Sequence, residues 1–138
     1  MLREAFYRKM IDAYDIHAQF ETIYGDIDLV VGVLKKSLEY GEKLKKIAKS
    51  SEDVAMANAV IRTNSLLLAT IEGKKSIAEF KKEILEIEKR YPEYFQKGRR
   101  DIGTSKDNVN AIIHRIEYMI NRYDVRYPNY DRHRCNDA

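Results

Sequence analysis

Apolar residues recur at steps of three and four along almost the whole chain, and such steps place them on one face of a helix. No alternation of period two is long enough to indicate a strand. The sequence therefore predicts an all-α protein, an up-and-down bundle of four to five helices at about 2–24, 27–49, 52–72, 76–91 and 105–125. The stripes that carry this prediction for the first two helices are Leu2, Phe6, Met10, Ala13, Phe20 and Tyr24, then Ile27, Val31, Leu34, Leu38 and Leu44.

The predicted helix ends rest on capping residues. Ser50 is placed to cap the third helix, and Gly73 is placed where that helix can end. Ser76 followed by Glu79 forms a capping box for the fourth helix. Residues 96–107 contain two glycines and many polar residues, which predicts a loop before the last helix.

The break between the first two helices is open from sequence. The apolar face continues almost in phase across Gly25, so residues 2–48 could form one helix of roughly 70 Å. A Gly-Asp pair at 25–26 supplies a helix end followed by a cap. We therefore favour two helices over one.

Both prolines occur in similar surroundings, RYPEY at 90–94 and RYPNY at 126–130. Proline disfavours the helical conformation in the residue before it, so Tyr91 and Tyr127 are expected to end helices. The residues around the two copies differ, and we interpret RYPxY as one helix-ending device used twice rather than as an internal repeat.

The segment 52–72 is apolar over an unusually wide arc. Such a helix lies either in the middle of a bundle or at an oligomer interface. The residues of a possible interface are Val60, Asn64, Leu67 and Ile71. Asn64 is expected either to be partly exposed or hydrogen-bonded, or to set the register of a helix pair as a buried polar residue.

Length and composition add a broad setting. The 138 residues are enough for one domain, predicted over 1–126, with a polar tail at 127–138 that we expect to be disordered. A charged fraction of 34% with few glutamines is typical of thermophile proteins. The single cysteine, Cys135, favours a cytoplasmic protein. We expect no membrane contact, because the longest apolar runs are far shorter than about 20 residues.

Net charge is +3, and all of it comes from residues 97–138. Arginine combined with tyrosine can bind phosphates and stack on bases, so nucleic-acid binding is an alternative function. The candidate contacts for this alternative are Arg99, Arg100, Arg122, Arg126, Tyr127 and Tyr130.

Catalytic and metal-binding patterns are missing from the sequence. The three histidines, His17, His114 and His133, form no HxxxH or ExxH pair, and one cysteine cannot form CxxC. We therefore expect no catalytic residues, no metal and no cofactor.

Arg126 and His133 are separated by six residues, and this spacing resembles the arginine–histidine motif of the HEPN ribonucleases, which are small helical bundles. The resemblance covers eight residues and implies a ribonuclease with His133 in the active site. Tyr127 and Pro128 depart from it, because the family usually has a polar residue after the arginine, within a helix.

The interpretation we prefer is a non-enzymatic helical bundle that mediates protein–protein contact, as a homodimer. Tyrosine and arginine are favoured interface residues, and the chain has ten tyrosines. Small accessory proteins, including those of viruses and plasmids, share this appearance.

Overall fold

The structure is a computed structural model that describes residues 2–24 and 27–95 together with His114 and Glu117. Within this part the fold is the all-α bundle that the sequence predicts, with no strand. Four helices and a 3-10 turn follow in the order α1 (Leu2–Tyr24), α2 (Ile27–Ile47), α3 (Ser51–Ile71), α4 (Ile77–Arg90) and the turn Pro92–Phe95.

Helices α1 and α2 fold back on each other as an antiparallel hairpin. The Ser37 hydroxyl donates a hydrogen bond of 2.9 Å to the Asp15 carboxylate. In one continuous helix these two residues would be about 33 Å apart. The preferred prediction of two helices is therefore confirmed, and the alternative of one helix over 2–48 is wrong.

The predicted caps of α3 are both present. At its start, the Ser50 hydroxyl accepts a hydrogen bond of 3.1 Å from the Asp53 backbone N–H. At its end, Gly73 has φ 79°, and the Lys74 N–H donates to the Ala69 carbonyl at 2.8 Å. This arrangement is a Schellman motif, which requires the positive φ that glycine adopts without strain.

Helix α4 ends where Pro92 requires it to end. Its last residue is Arg90, and Tyr91 is the C-cap, with an N–H that still donates to the Ile87 carbonyl. The chain then turns through the 3-10 segment, which brings Tyr94 and Phe95 into the interior. RYPEY is thus a helix end, as predicted.

Helix α3 lies in the middle of the bundle and contacts both α2 and α4. On the α2 side the backbones come close at Gly41, which faces Val60. On the α4 side the apolar stripe consists of Phe80, Ile84 and Ile87, all buried. The wide apolar arc of α3 follows from this central position.

Helix α3 is also, by length and composition, long and apolar enough to cross a membrane, the one such helix in the described part of the chain. Half of that stretch is buried inside the structure. The central helix of a bundle meets the same two criteria, because it is apolar around most of its circumference.

Several sequence predictions fall outside the described residues. These are the loop at 96–107, the second proline at RYPNY, the 127–138 tail and nearly all of the helix at 105–125. Of that helix, His114 and Glu117 are described, and both are helical. Glu117 forms an ion pair of 3.0 Å with Lys81, which places it beside α4.

Replacing Gly41 by Ala should destabilise the protein by about 1–3 kcal/mol through overpacking. The added Cβ would overlap Val60 Cγ1 and meet Ile61 Cγ1 at 3.4 Å. Urea unfolding followed by circular dichroism measures the change. Gly32→Ala is the matched control, because this glycine is on the same helix with open space around it. Equal stability of the two variants would contradict the close approach of α2 and α3.

The capping box of α4 should make stability depend on pH. The Ser76 N–H donates to Glu79 Oε1 at 2.9 Å, and this bond, followed by the Ser76 hydroxyl, lowers the pKa of Glu79 from 4.5. A lowered folded-state pKa adds stability that is complete above pH 4.5 and is lost as the pH falls through the folded value.

We therefore expect Glu79→Gln to lower the free energy of unfolding at neutral pH, with a difference from the unchanged protein that shrinks below pH 4.5. Urea titrations at several pH values measure this difference. Glu86→Gln is the control, because Glu86 is exposed on the same helix and forms no hydrogen bond or ion pair within the described residues. A constant Glu79→Gln difference at all pH values would refute the role of the carboxylate charge.

Candidate interaction surface

The outer face of α1, defined by Leu2, Phe6, Lys9, Ala13 and His17, is exposed. Leu2 is 88% exposed and Phe6 is 51% exposed. The sequence had placed Leu2, Phe6 and Ala13 on the stripe that packs into the bundle. That prediction is wrong for these three side chains.

The buried face of α1 is a different one. Ile11 and Ala18 lie in the core, Asp15 is buried between them, and Tyr7 and Tyr14 pack at the edge. Helix α1 thus has apolar residues on two faces, and the interior takes one of them. The other is left on the surface of the single chain.

Aromatic rings hold Phe6 in place on this surface. Its ring lies 5.9 Å from that of Tyr7 and 6.1 Å from that of Tyr40, with an edge-on angle of 80° to Tyr40. Tyr40 in turn stacks on Tyr14 at 5.9 Å, and the Lys43 ammonium lies 5.0 Å from the Tyr40 ring centroid. Such packing reduces the rotamer freedom that Phe6 would lose on binding a partner.

A buried polar cluster joins α1, α2 and the 3-10 turn. The Asp15 carboxylate accepts hydrogen bonds from the Ser37 hydroxyl at 2.9 Å and from the Tyr94 hydroxyl at 3.0 Å. All three residues are buried. The sequence did not indicate this cluster, because Tyr94 is 79 residues from Asp15.

This cluster is suited to holding the fold rather than to chemistry. Asp15 is 4% exposed and Ser37 is fully buried, so a substrate cannot reach the carboxylate. No histidine is described beside them to act as a general base. The two hydroxyl donors instead supply hydrogen bonds that a buried carboxylate requires.

A pocket of about 530 Å³ lies between α1, the start of α3 and the end of α4. Its size is typical of ligand sites. Its main charged pair, Arg8 and Asp53, is already joined at 2.8 Å, so these charges satisfy each other. The remaining wall is made by Ser50, Glu52, Ala55, Met56, Arg90, Tyr91, Pro92, Glu93 and Tyr94.

The titratable residues considered from sequence do not converge in the described structure. His17 and His114 are both exposed, on α1 and beside Glu117 respectively. Within residues 2–24, 27–95, 114 and 117, no group of three or more His, Cys, Asp or Glu is placed to hold a metal ion.

The possible interface residues of α3 lie in the core of the chain itself. Val60, Asn64 and Ile71 are at most 1% exposed, and only Leu67 is half-buried. In the described structure the Asn64 Nδ2 atom has no hydrogen-bond partner. Burial within one chain leaves these three side chains no surface to offer a second chain.

The candidate nucleic-acid contacts lie outside the described residues. They are Arg99, Arg100, Arg122, Arg126, Tyr127 and Tyr130. The same is true of His133, which carries the ribonuclease resemblance. Both alternatives therefore remain predictions from sequence.

Comparison with known proteins gives no relative: no family model, no curated protein and no solved structure matches the chain.

Sequence reasoning missed the two-sided character of α1, although a signal was present. Tyr7, Ile11, Tyr14 and Ala18 are a second series at steps of four, three and four. This spacing is as consistent with one helical face as the spacing of Leu2, Phe6, Met10 and Ala13 is. Periodicity alone could not show which face the bundle would bury.

Tyr94→Phe should lower the free energy of unfolding by about 1–3 kcal/mol, because it removes a hydrogen bond to a buried charged group. Denaturant unfolding measures the loss. Tyr91→Phe is the matched control, since Tyr91 is half-buried and its hydroxyl has no hydrogen bond within the described residues. Equal effects of the two variants would show that the hydroxyl of Tyr94 contributes nothing specific.

Proposed function

We propose that this protein is a non-enzymatic interaction module that binds another protein chain, with homodimer formation as its simplest form. The observation that carries the proposal is the exposed outer face of α1. Single exposed apolar residues are common on soluble proteins and indicate little. Here Leu2 and Phe6 are one helical turn apart, and the Phe6 ring packs against the Tyr40 ring, so the apolar surface is continuous.

The shape of this surface favours a protein over a small ligand. Small-molecule sites are concave and enclose the ligand, whereas the side of an exposed helix is convex. Protein interfaces are enriched in aromatic anchors surrounded by polar residues. Phe6 and Tyr40 fit the role of anchors, and Lys43 fits the role of the polar rim.

The energetics also favour association. Full burial of a phenylalanine or leucine side chain contributes about 1.5–3 kcal/mol relative to exposure. In the single chain much of this free energy is not yet gained at Leu2 and Phe6, because both are at least half exposed. A partner that covers them would bury this apolar surface and so gain binding free energy.

The non-enzymatic part of the proposal rests on the sequence, where the one spacing that resembles a catalytic motif, Arg126 to His133, departs from it at Tyr127 and Pro128. It is consistent with the pocket beside Arg8 and Asp53, whose described wall contains no histidine or cysteine.

Phe6→Asp should convert a dimer into a monomer, because it places a charge in the contact. Size-exclusion chromatography with light scattering measures the mass. Leu85→Asp is the matched control: Leu85 on α4 is 50% exposed and Phe6 is 51% exposed, so the same change at Leu85 should leave the dimer intact. Circular dichroism verifies that both variants are folded.

The unchanged protein is measured in the same experiment at about 100 μM, where a pair with a Kd of about 10 μM is mostly associated. A monomer at this concentration would contradict the proposal of self-association. An equal loss of dimer in both variants would remove α1 as the contact.

A further inference from the structure

The outer face of α1 has the residue spacing of a coiled-coil seam. Leu2, Phe6, Lys9 and Ala13 are separated by four, three and four residues, and all four are exposed. In the sequence the same steps continue, within α1, to Ile16, Phe20 and Ile23. Apolar residues at alternating steps of three and four are the positions through which two helices pack in a coiled coil.

The α1–α2 hairpin is strongly asymmetric in charge. The stretch between Lys9 and Lys35, which contains the connection between the helices, has five acidic residues and no Lys or Arg. The Ser37–Asp15 contact places Lys35 and Lys36 on the connection side of Ala13. Divided at Ala13, the connection end of the hairpin (13–38) has four acidic and two basic residues, and the open end (1–12 and 39–49) has seven basic and four acidic residues. The connection end is therefore net acidic, and the open end is net basic.

We propose that the partner on the outer face of α1 is α1 of a second copy of this chain, packed antiparallel about a two-fold axis near Ala13. This proposal rests on the proposed function and adds which surface of the partner is bound and in which direction the two helices run. Ala13 is next to the midpoint of the seam that runs from Leu2 to Ile23. A two-fold axis there makes the seam complementary to itself.

Charge determines the direction. In the antiparallel arrangement the basic open end of one copy lies against the acidic connection end of the other, at both ends of the contact. In a parallel arrangement the two basic ends would meet, and so would the two acidic ends. Like charges brought together at an interface are unfavourable, and opposite charges guide the correct encounter.

Side-chain sizes fit the same arrangement. Alanine at the midpoint allows two helix backbones to approach closely, while Leu2 is at the end of the seam. Lys9 interrupts the apolar series, and a single polar residue at such a position fixes the register of a pair. Its aliphatic stem can cover the seam while the ammonium group reaches water.

Cysteine cross-linking tests the direction. Each variant has Cys135→Ser and one new cysteine: Ala13→Cys, Leu2→Cys or, as an exposed control on α4, Leu85→Cys. In the antiparallel pair the two copies of residue 13 face each other, whereas the two copies of residue 2 are about 30 Å apart at 1.5 Å per residue. Each variant is oxidised under mild conditions and run on a non-reducing gel, with light scattering in parallel.

The expected result is a disulfide-linked dimer for Ala13→Cys, with Leu2→Cys and Leu85→Cys both at the level of random collision. Cross-linking of Leu2→Cys as well as Ala13→Cys would indicate a parallel pair and overturn the inference. A dimer in light scattering with no Ala13→Cys cross-link would overturn the inference and leave the proposed function standing. A monomer throughout would overturn both.

Discussion

The buried carboxyl group of Asp15 accepts hydrogen bonds from two hydroxyl groups, and these bonds connect three pieces of the chain. Ser37 holds α2 to α1, and Tyr94 holds the 3-10 turn to α1. A buried carboxylate without such donors is costly, so packings that separate these residues are disfavoured. The same contact fixes the rotation of α1 about its own axis. Because Asp15 points inward together with Ile11 and Ala18, Phe6 and Leu2 point outward.

Much of the fold was predictable from sequence, because helix ends depend on local chemistry. Ser50, Gly73 and Pro92 act through hydrogen bonds and backbone angles within a few residues, and each is used as predicted. The rotation of α1 was not predictable, because its two apolar series are equally regular. The choice between them depends on contacts with the rest of the bundle, among them that of Tyr94, a residue distant in sequence. The sequence therefore placed Phe6 on the stripe that packs into the bundle.

The candidate site changed for the same reason. The wide apolar arc of α3 suggested two outcomes from sequence, a central position or an interface, and the central position accounts for the burial of Val60 and Ile71. The width of an apolar arc indicates how much of a helix surface is buried, but it does not indicate which element buries that surface. Exposure of individual side chains was the missing information, and it moved the candidate surface from α3 to α1.

The contact between Tyr94 and Asp15 has a consequence for the order in which the chain folds. The α1–α2 hairpin closes a short loop, whereas the Tyr94 hydroxyl must return across 79 residues. Closing a longer loop has a larger entropic cost, so the hairpin is expected to form early and the turn to dock late. During ribosomal synthesis Asp15 and Ser37 emerge well before Tyr94 exists. The nascent hairpin therefore passes through a stage in which the Asp15 carboxyl group lacks the Tyr94 hydroxyl.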